Sequence, residues 1–266
     1  MSKPILVTGG TGTLGSAVVR RLLDVGATPR VMSRRPRRDW PGDWVVADLR
    51  SGDGHDVALS GIDVIIHCAD DTQGGKHGST VTRNLVEAAT RAESPPHLVY
   101  ISIVGIEHVP VRYYRAKLSD ERLVENSGLP YTILRATQFH DLVRVILAGT
   151  AVLPVMVVPS MRFQPIDVQD VAARLVELAS TEPAGRAVDI GGPEVHDIRE
   201  LARSWKQATG KRRPVVPVRL PGKIFVALRR GFNLVPGNAA GTITFEKYLA
   251  GHPAPASVVY RKKARR

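Results

Sequence analysis

The segment Thr8-Gly9-Gly10-Thr11-Gly12-Thr13-Leu14-Gly15 joins an apolar run, Ile5-Leu6-Val7, to an amphipathic stretch that begins Ser16-Ala17-Val18-Val19. Residues of these types at this spacing bind phosphate. A tight strand-to-helix turn needs a residue without a Cβ, which Gly9 supplies. Gly12 lets the backbone approach a pyrophosphate, and Gly15 lets the helix sit close on its sheet. The first N–H groups of a helix lack partners within it, and with the positive end of the helix dipole they attract phosphate. A glycine pattern alone is a weak signal. Here it follows a first strand and opens a helix, which separates it from an ordinary Gly-rich turn.

Where the next strand ends, a chain that binds NAD carries an acidic residue for the adenosine ribose hydroxyls. This chain has Val31-Met32-Ser33-Arg34-Arg35 there. A carboxylate would repel a 2′-phosphate, whereas guanidinium groups bind one through forked hydrogen bonds. Ser33 adds a hydroxyl donor. NADP (NADPH) is therefore expected ahead of NAD, the alternative being a solvated basic loop.

The elements that must position these residues alternate along the chain. Strand-like runs fall at Pro4–Thr8, Arg30–Ser33, Trp44–Ala47, Asp63–His67, His97–Ser102, Tyr131–Arg135 and Ala187–Ile190. Several are solidly apolar, as strands buried on both faces are. Helix-length stretches follow Gly12 and cover about Ser79–Ala92, Arg115–Asn126, Asp167–Ser180 and His196–Thr209. Such alternation implies right-handed βαβ units, hence an α/β fold with a doubly wound parallel sheet of the Rossmann type. After about Gly149 the pattern loosens, punctuated by Pro154, Pro159, Pro165, Pro183 and Pro193. Residues 1–266 are expected as one NAD(P)-binding domain in which about 151–266 contributes a small irregular C-terminal substrate lobe.

Composition narrows the class. The 266 residues are 43% hydrophobic but only 5% aromatic, so the core must be aliphatic. The single cysteine, Cys68, excludes an intrachain disulfide framework and fits a reducing compartment. No signal peptide is read at the N-terminus, and no run approaches the ~18 apolar residues of a spanning helix. A cytoplasmic protein without a membrane role is expected. The net charge of +12 comes partly from Arg34–Arg38, Lys211–Arg213 and a basic tail at 261–266. Aromatic residues are not interleaved with these clusters, so a nucleic-acid partner is disfavoured against a solvated tail plus a local anion site. No Cys or His spacing suggests a metal.

Taken together, the chain resembles the short-chain dehydrogenase/reductase superfamily, in particular its extended and atypical NmrA-like branch, over nearly its whole length. The Thr8-Gly9-x-x-Gly12-x-x-Gly15 spacing is similar to that branch's glycine motif. Asp48-Leu49 looks like its adenine-contacting pair, and Cys68-Ala69 falls where the branch lines the adenosine side of the cofactor. Ser102 ends the fifth strand, and Tyr113-Tyr114-Arg115-Ala116-Lys117 looks like the Tyr-x-x-x-Lys element. Arg135 closes the sixth strand, and Phe163-Gln164-Pro165-Ile166-Asp167-Val168-Gln169-Asp170-Val171 looks like a C-terminal signature.

On a helix, residues i and i+4 share a face, so Tyr113 and Lys117 are expected together at the nicotinamide. An ammonium beside a phenol favours the phenolate, and the resemblance implies that Tyr113 handles the proton while Lys117 also holds the ribose. Ser102 is the expected carbonyl-polarising hydroxyl. Its successor is Ile103, where extended members often carry a second hydroxyl, and the segment from Ser102 to Tyr113 is short, as in the atypical branch. Gln138, Phe139 and His140 follow the sixth strand, where family members line the substrate pocket; for His140 a packed histidine is the competing reading. Asp167 and Asp170 suit a helix N-terminus better than acid–base work. The function expected is an NADP(H)-dependent oxidoreductase acting on a small or medium organic carbonyl, enone or quinone-like substrate. The alternative is a non-catalytic, NADP-sensing regulator.

Overall fold

The computed structural model describes residues 3–37, 40, 42–71 and 79–252, so the basic tail at 261–266 lies outside the described residues. In chain order come β1 (Ile5–Thr8), α1 (Thr13–Asp24), β2 (Arg30–Ser33), β3 (Asp43–Val46) and α2 (His55–Leu59). Next are β4 (Val64–His67), α3 (Thr80–Thr90), β5 (His97–Ile103), α4 (Arg112–Glu125), β6 (Tyr131–Ala136) and α5 (His140–Thr150). Then follow β7 (Met156–Pro159), β8 (Arg162–Phe163), α6 (Val168–Ser180), β9 (Gly185–Arg186) and β10 (His196–Asp197). The chain finishes with α7 (Ile198–Thr209), β11 (Val215–Val218), α8 (Lys223–Arg229) and α9 (Phe245–Ala250). Two compact units result, Met1–Arg135 with Val171–Val188 and Ala136–Asp170 with Asp189–Arg266.

The first unit is a Rossmann-type α/β layer structure. Its seven parallel strands run in the order β3-β2-β1-β4-β5-β6-β9. The order reverses between β1 and β4, which is where such sheets open a crevice at their carboxyl ends. Register there is set by Val7 beside Ile66 and Thr8 beside His67. β4 is buried along its whole length, as its unbroken apolar run Val64-Ile65-Ile66 requires. Leu6, Ile65, Leu98 and Ile133 from the strands pack with Leu85, Ala89 and Val124 from α3 and α4.

In the first unit two expected boundaries move clearly. α4 begins at Arg112 rather than near Arg115, because the Arg115 N–H already reaches the Val111 carbonyl at 3.1 Å. Tyr113 therefore lies in the helix's first turn. The last sheet strand is Gly185–Arg186, paired with Thr132 and Ile133, rather than Ala187–Ile190. As an edge strand it needs only one neighbour, and Val188 is 67% exposed. Because β9 joins β6 in parallel, the chain must cross over between them, and α6 lies in that crossover. That crossover returns Val171–Val188 to the first unit, while the second unit takes up the chain already at Ala136.

The second unit has its own core, in which Val143, Leu147, Met156, Phe163, Leu201, Trp205, Phe245 and Leu249 are buried. β8 pairs antiparallel with β10, and β7 pairs parallel with β11. α7 starts two residues later than the sequence pattern suggests. Its N-cap Asp197 accepts the Arg199 N–H while Glu200 accepts the Asp197 N–H, each at 2.8 Å, which is a capping box.

Candidate functional site

The turn between β1 and α1 is built on close backbone contact. Gly9 has φ +67°, and a Cβ there would stand 2.6 Å from the Ala69 nitrogen and 2.7 Å from the Cys68 carbonyl carbon. Its absence lets the turn lie against the end of β4. A Cβ on Gly15 would collide with the Gly9 carbonyl, so Gly15 seats the helix on the turn itself. The Gly9 carbonyl accepts the Gly12 N–H at 2.8 Å. Gly12 is the N-cap of α1, with no side-chain cap and no acidic residue in the first turn. Thr11, Gly12 and Thr13 are exposed, Gly10 and Leu14 buried. An uncapped helix end beside an open glycine fits a bound phosphate, which is what the pyrophosphate of a dinucleotide would supply.

At the end of β2, Ser33 is half-buried, and its Oγ accepts the Arg35 N–H at 3.4 Å. Arg34 and Arg35 are exposed, with no ion pair among the described residues. After β3, Asp48 accepts the Arg50 N–H at 2.8 Å and Leu49 turns into the core. Asn84 of α3 holds this loop by donating to the Leu49 and Arg50 carbonyls at 2.9 and 2.8 Å.

The end of β4 carries His67, Cys68, Ala69, Asp70 and Asp71. Burial pushes the Cys68 thiol up to about 12, against the pull of the nearby Lys117 charge, so it stays a thiol. Arg50 pairs with Asp71 at 2.7 Å. Beneath lies a buried polar chain. The Thr8 hydroxyl meets His67 Nδ1 at 2.6 Å, His67 Nε2 meets the Thr82 hydroxyl at 3.2 Å, and Thr82 donates to Asp120 at 3.2 Å. Tyr100 also donates to Asp120 at 3.3 Å. Burial raises Asp120 from the ordinary carboxylate range, opposed by the Ser79 N–H and by Lys117.

Ser102, at the carboxyl end of β5, is 3% exposed, and its Oγ has no hydrogen-bond partner among the described residues. Lys117 is buried on α4. Its Nζ donates to the Ile101 carbonyl at 2.8 Å and stands 4.1 Å from the centre of the Tyr100 ring. Burial lowers the Lys117 ammonium from its ordinary value, while Asp70, Asp120 and Glu121 oppose that shift. Tyr113, one turn earlier, donates its hydroxyl to Asp70 at 2.5 Å. The first unit thus brings together the glycine turn, Cys68-Ala69, Ser102, Tyr113 and Lys117 around the ends of β1, β4 and β5. It also brings in Asp70, His67, Tyr100 and Asp120, which spacing does not disclose. Their one sequence signal is polarity in or beside an apolar strand or helix face.

Gln138, Phe139 and His140 belong to the second unit. His140 is fully enclosed, its Nε2 2.9 Å from the Ile243 carbonyl and its ring among Phe245 and Tyr248. Burial lowers the His140 pKa from its ordinary value, opposed by the bond to the Ile243 carbonyl and by Asp167, Asp141 and Asp170. Gln138 accepts from Asn233 at 3.2 Å, and its Nε2 has no partner among the described residues. Asp167 accepts the Gln169 N–H at 2.8 Å as a helix cap, and Asp170 receives the Thr242 N–H and hydroxyl at 2.9 and 2.8 Å. On the surface, Glu194, His196 and Glu246 place ligand-type atoms within 4.8 Å of one another, a grouping that spacing alone did not reveal.

Comparison with known proteins bears on the family and the fold. The chain is 29% identical over 218 residues to a (4-alkanoyl-5-oxo-2,5-dihydrofuran-3-yl)methyl phosphate reductase of Streptomyces griseus, covering 78% of this chain and 74% of that one. It is 24% identical over 272 residues to a photosystem II assembly factor of Synechocystis sp., covering 94% and 81%. It spans 56% and 46% of two other relatives that it matches. Its fold is that of an NADPH-dependent quinone oxidoreductase of Escherichia coli in complex with NADPH, with a TM-score of 0.78 at 17% identity over 93% of this chain and 99% of that one. Among the described residues no helix is long and apolar enough to cross a membrane. Residues 9–182 match the NAD(P)H-binding family, and the chain belongs to that family, within the short-chain dehydrogenase/reductase superfamily that its motifs resemble.

Proposed function

We propose that this protein is an NADP(H)-dependent oxidoreductase acting on a small or medium organic carbonyl, enone or quinone-like substrate. The observation that carries the reading is the placement of Lys117. Its Nζ is tied to the carbonyl of Ile101, the residue before Ser102, and it lies one helical turn from Tyr113. Arg34 and Arg35 receive the 2′-phosphate, and the α1 N-terminus receives the pyrophosphate. The bound dinucleotide supplies the hydride. Ser102 polarises the substrate oxygen, and Tyr113 delivers a proton to it. A reductase among the relatives and an NADPH-bound structure of the same fold support this reading.

A screen of aldehydes, ketones, enones and quinones with NADPH, followed by two variants, tests it. Tyr113→Phe should leave NADPH binding nearly unchanged and lower turnover by roughly 10²-fold, the scale of a lost general acid. Lys117→Ala should damage both. Full turnover in Tyr113→Phe would remove the tyrosine from the chemistry.

A second reading is a non-catalytic NADP-sensing protein, favoured by the photosystem II assembly factor among the relatives. Tight NADPH binding with no turnover across the screen would select it.

A further inference from the structure

The phenol that the proposed chemistry uses as its acid is bonded to a carboxylate. Tyr113 Oη donates to Asp70 Oδ2 at 2.5 Å, in the range of a charge-assisted O–H···O⁻ bond. Lys117, the group that would favour a phenolate, is bonded to the Ile101 carbonyl and lies over the Tyr100 ring. Among the described residues, the charged and titratable groups facing Tyr113 include Asp70 from the segment after β4, Lys117 from its own helix, and Tyr100 from β5, whose own ionisation the Asp70 and Tyr113 charges oppose. The neighbouring Tyr114 ring lies 6.2 Å away, centre to centre.

These contacts have a direction. An ionised carboxylate accepting the phenol's hydrogen bond favours the neutral phenol. A phenolate in the same place would set two negative charges within hydrogen-bond reach. Reduction needs a proton donor and oxidation needs a phenolate base.

We propose that Asp70 is a positioning residue that orients the Tyr113 O–H and keeps it protonated, so that the site is poised for reduction rather than oxidation. The proposal rests on the oxidoreductase reading. In carbonyl reduction the dinucleotide, when bound, would give up a hydride and be oxidised, and the carbonyl carbon would gain the C–H bond as its C=O π pair moved to oxygen. The Tyr113 O–H turns from Asp70 to the substrate oxygen and breaks there as a new O–H bond forms, giving the alcohol. The phenolate left beside Asp70 is destabilised by the like charge and regains a proton from solvent, which returns Tyr113 to its starting state.

The test needs no substrate in its first arm. Phenolate absorbance is followed against pH in the wild-type chain, Asp70→Asn, Tyr113→Phe and the double variant. In Asp70→Asn one tyrosine step should move to lower pH by about one unit or more, and that step should be missing wherever Tyr113 is replaced. Asp70→Glu, which keeps the charge, should return the step toward its wild-type position. Asp70→Ser gives the same reading if the asparagine variant does not fold. In the second arm, the loss of kcat/KM for reduction at high pH should move by the same amount in Asp70→Asn. Superimposable titrations of the wild-type and asparagine proteins would overturn the proposal even if the enzyme turns over. A moved step with no turnover in any screen would uphold the control of Tyr113 by Asp70 and overturn the oxidoreductase reading instead.

Discussion

The Thr8 hydroxyl and His67 Nδ1 lie 2.6 Å apart, tying together the carboxyl ends of β1 and β4 where the two strands stand in register. The imidazole is stacked on Tyr100, with ring centres 5.5 Å apart. Burial, helped by the Lys117 charge, drops the His67 pKa from 6.5 to about 3. The folded protein therefore keeps His67 neutral where the unfolded chain would protonate it. This contribution is fully present above pH 6.5 and is lost as pH falls toward 3, by about 1.4 kcal/mol per pH unit for one such group. Burial lowers His55, His97 and His140 in the same direction. Melting temperatures should fall steadily from pH 7 to pH 5, and His67→Asn should flatten that slope. Equal slopes for the variant and the wild-type chain would count against it.

NADPH should bind about tenfold more tightly than NADH, because a charge-assisted contact to the 2′-phosphate contributes roughly 1.5–3 kcal/mol. Arg34→Asp combined with Arg35→Ala should abolish or reverse the preference. Calorimetric titration of both cofactors checks this, and equal affinities in the wild-type protein would rule it out.

Gly9→Ala should cost at least about 2 kcal/mol, from the positive φ and from a Cβ that meets backbone atoms of Cys68 and Ala69. Gly26 is the control. Its φ is +76°, but nothing lies within 4 Å of an added Cβ, so Gly26→Ala should cost about 1 kcal/mol. Urea unfolding of the two variants measures the difference, which isolates the close approach from the dihedral. The same Gly9 variant should lose cofactor affinity, while Gly26→Ala keeps it.

Arg135 and Glu121 form a forked ion pair, Nε to Oε1 at 2.8 Å and Nη2 to Oε2 at 2.5 Å, with Glu121 fully buried. The arginine also meets Glu107 at 2.5 Å. These two carboxylates raise the Arg135 pKa against the effect of burial. Glu121→Ala would leave that guanidinium with only the half-exposed Glu107, and should cost about 3–5 kcal/mol. Chemical denaturation gives the number, and a loss below about 1 kcal/mol would show that the pair contributes little.

Much of the first unit was legible in the chain itself. Glycine spacing after an apolar run determines the phosphate turn, because only residues without a Cβ can accept the approach of Ala69 and the Gly9 carbonyl seen at Gly9 and Gly15. Unbroken apolar runs determine buried parallel strands, and the i, i+4 step puts Tyr113 and Lys117 on one face of any helix that holds both, although the sequence pattern starts that helix only near Arg115. Those are local relations, set by backbone sterics and by periods of two and 3.6 residues. Tertiary structure decided the rest. The two-residue strands β8, β9 and β10 carry too few side chains to show a period, so only the partner strands define them. His67, Tyr100, Asp120 and Asp70 are scattered through the sequence, and each has an ordinary solvated reading. Register and helix packing brought His67 within hydrogen-bonding distance of Thr8 and Thr82, Asp120 of Thr82 and Tyr100, and Asp70 of Tyr113. Which atom an ammonium or a phenol ends up facing depends on that packing. The sequence placed Lys117 beside Tyr113, but the fold turned one toward the Ile101 carbonyl and the other toward Asp70.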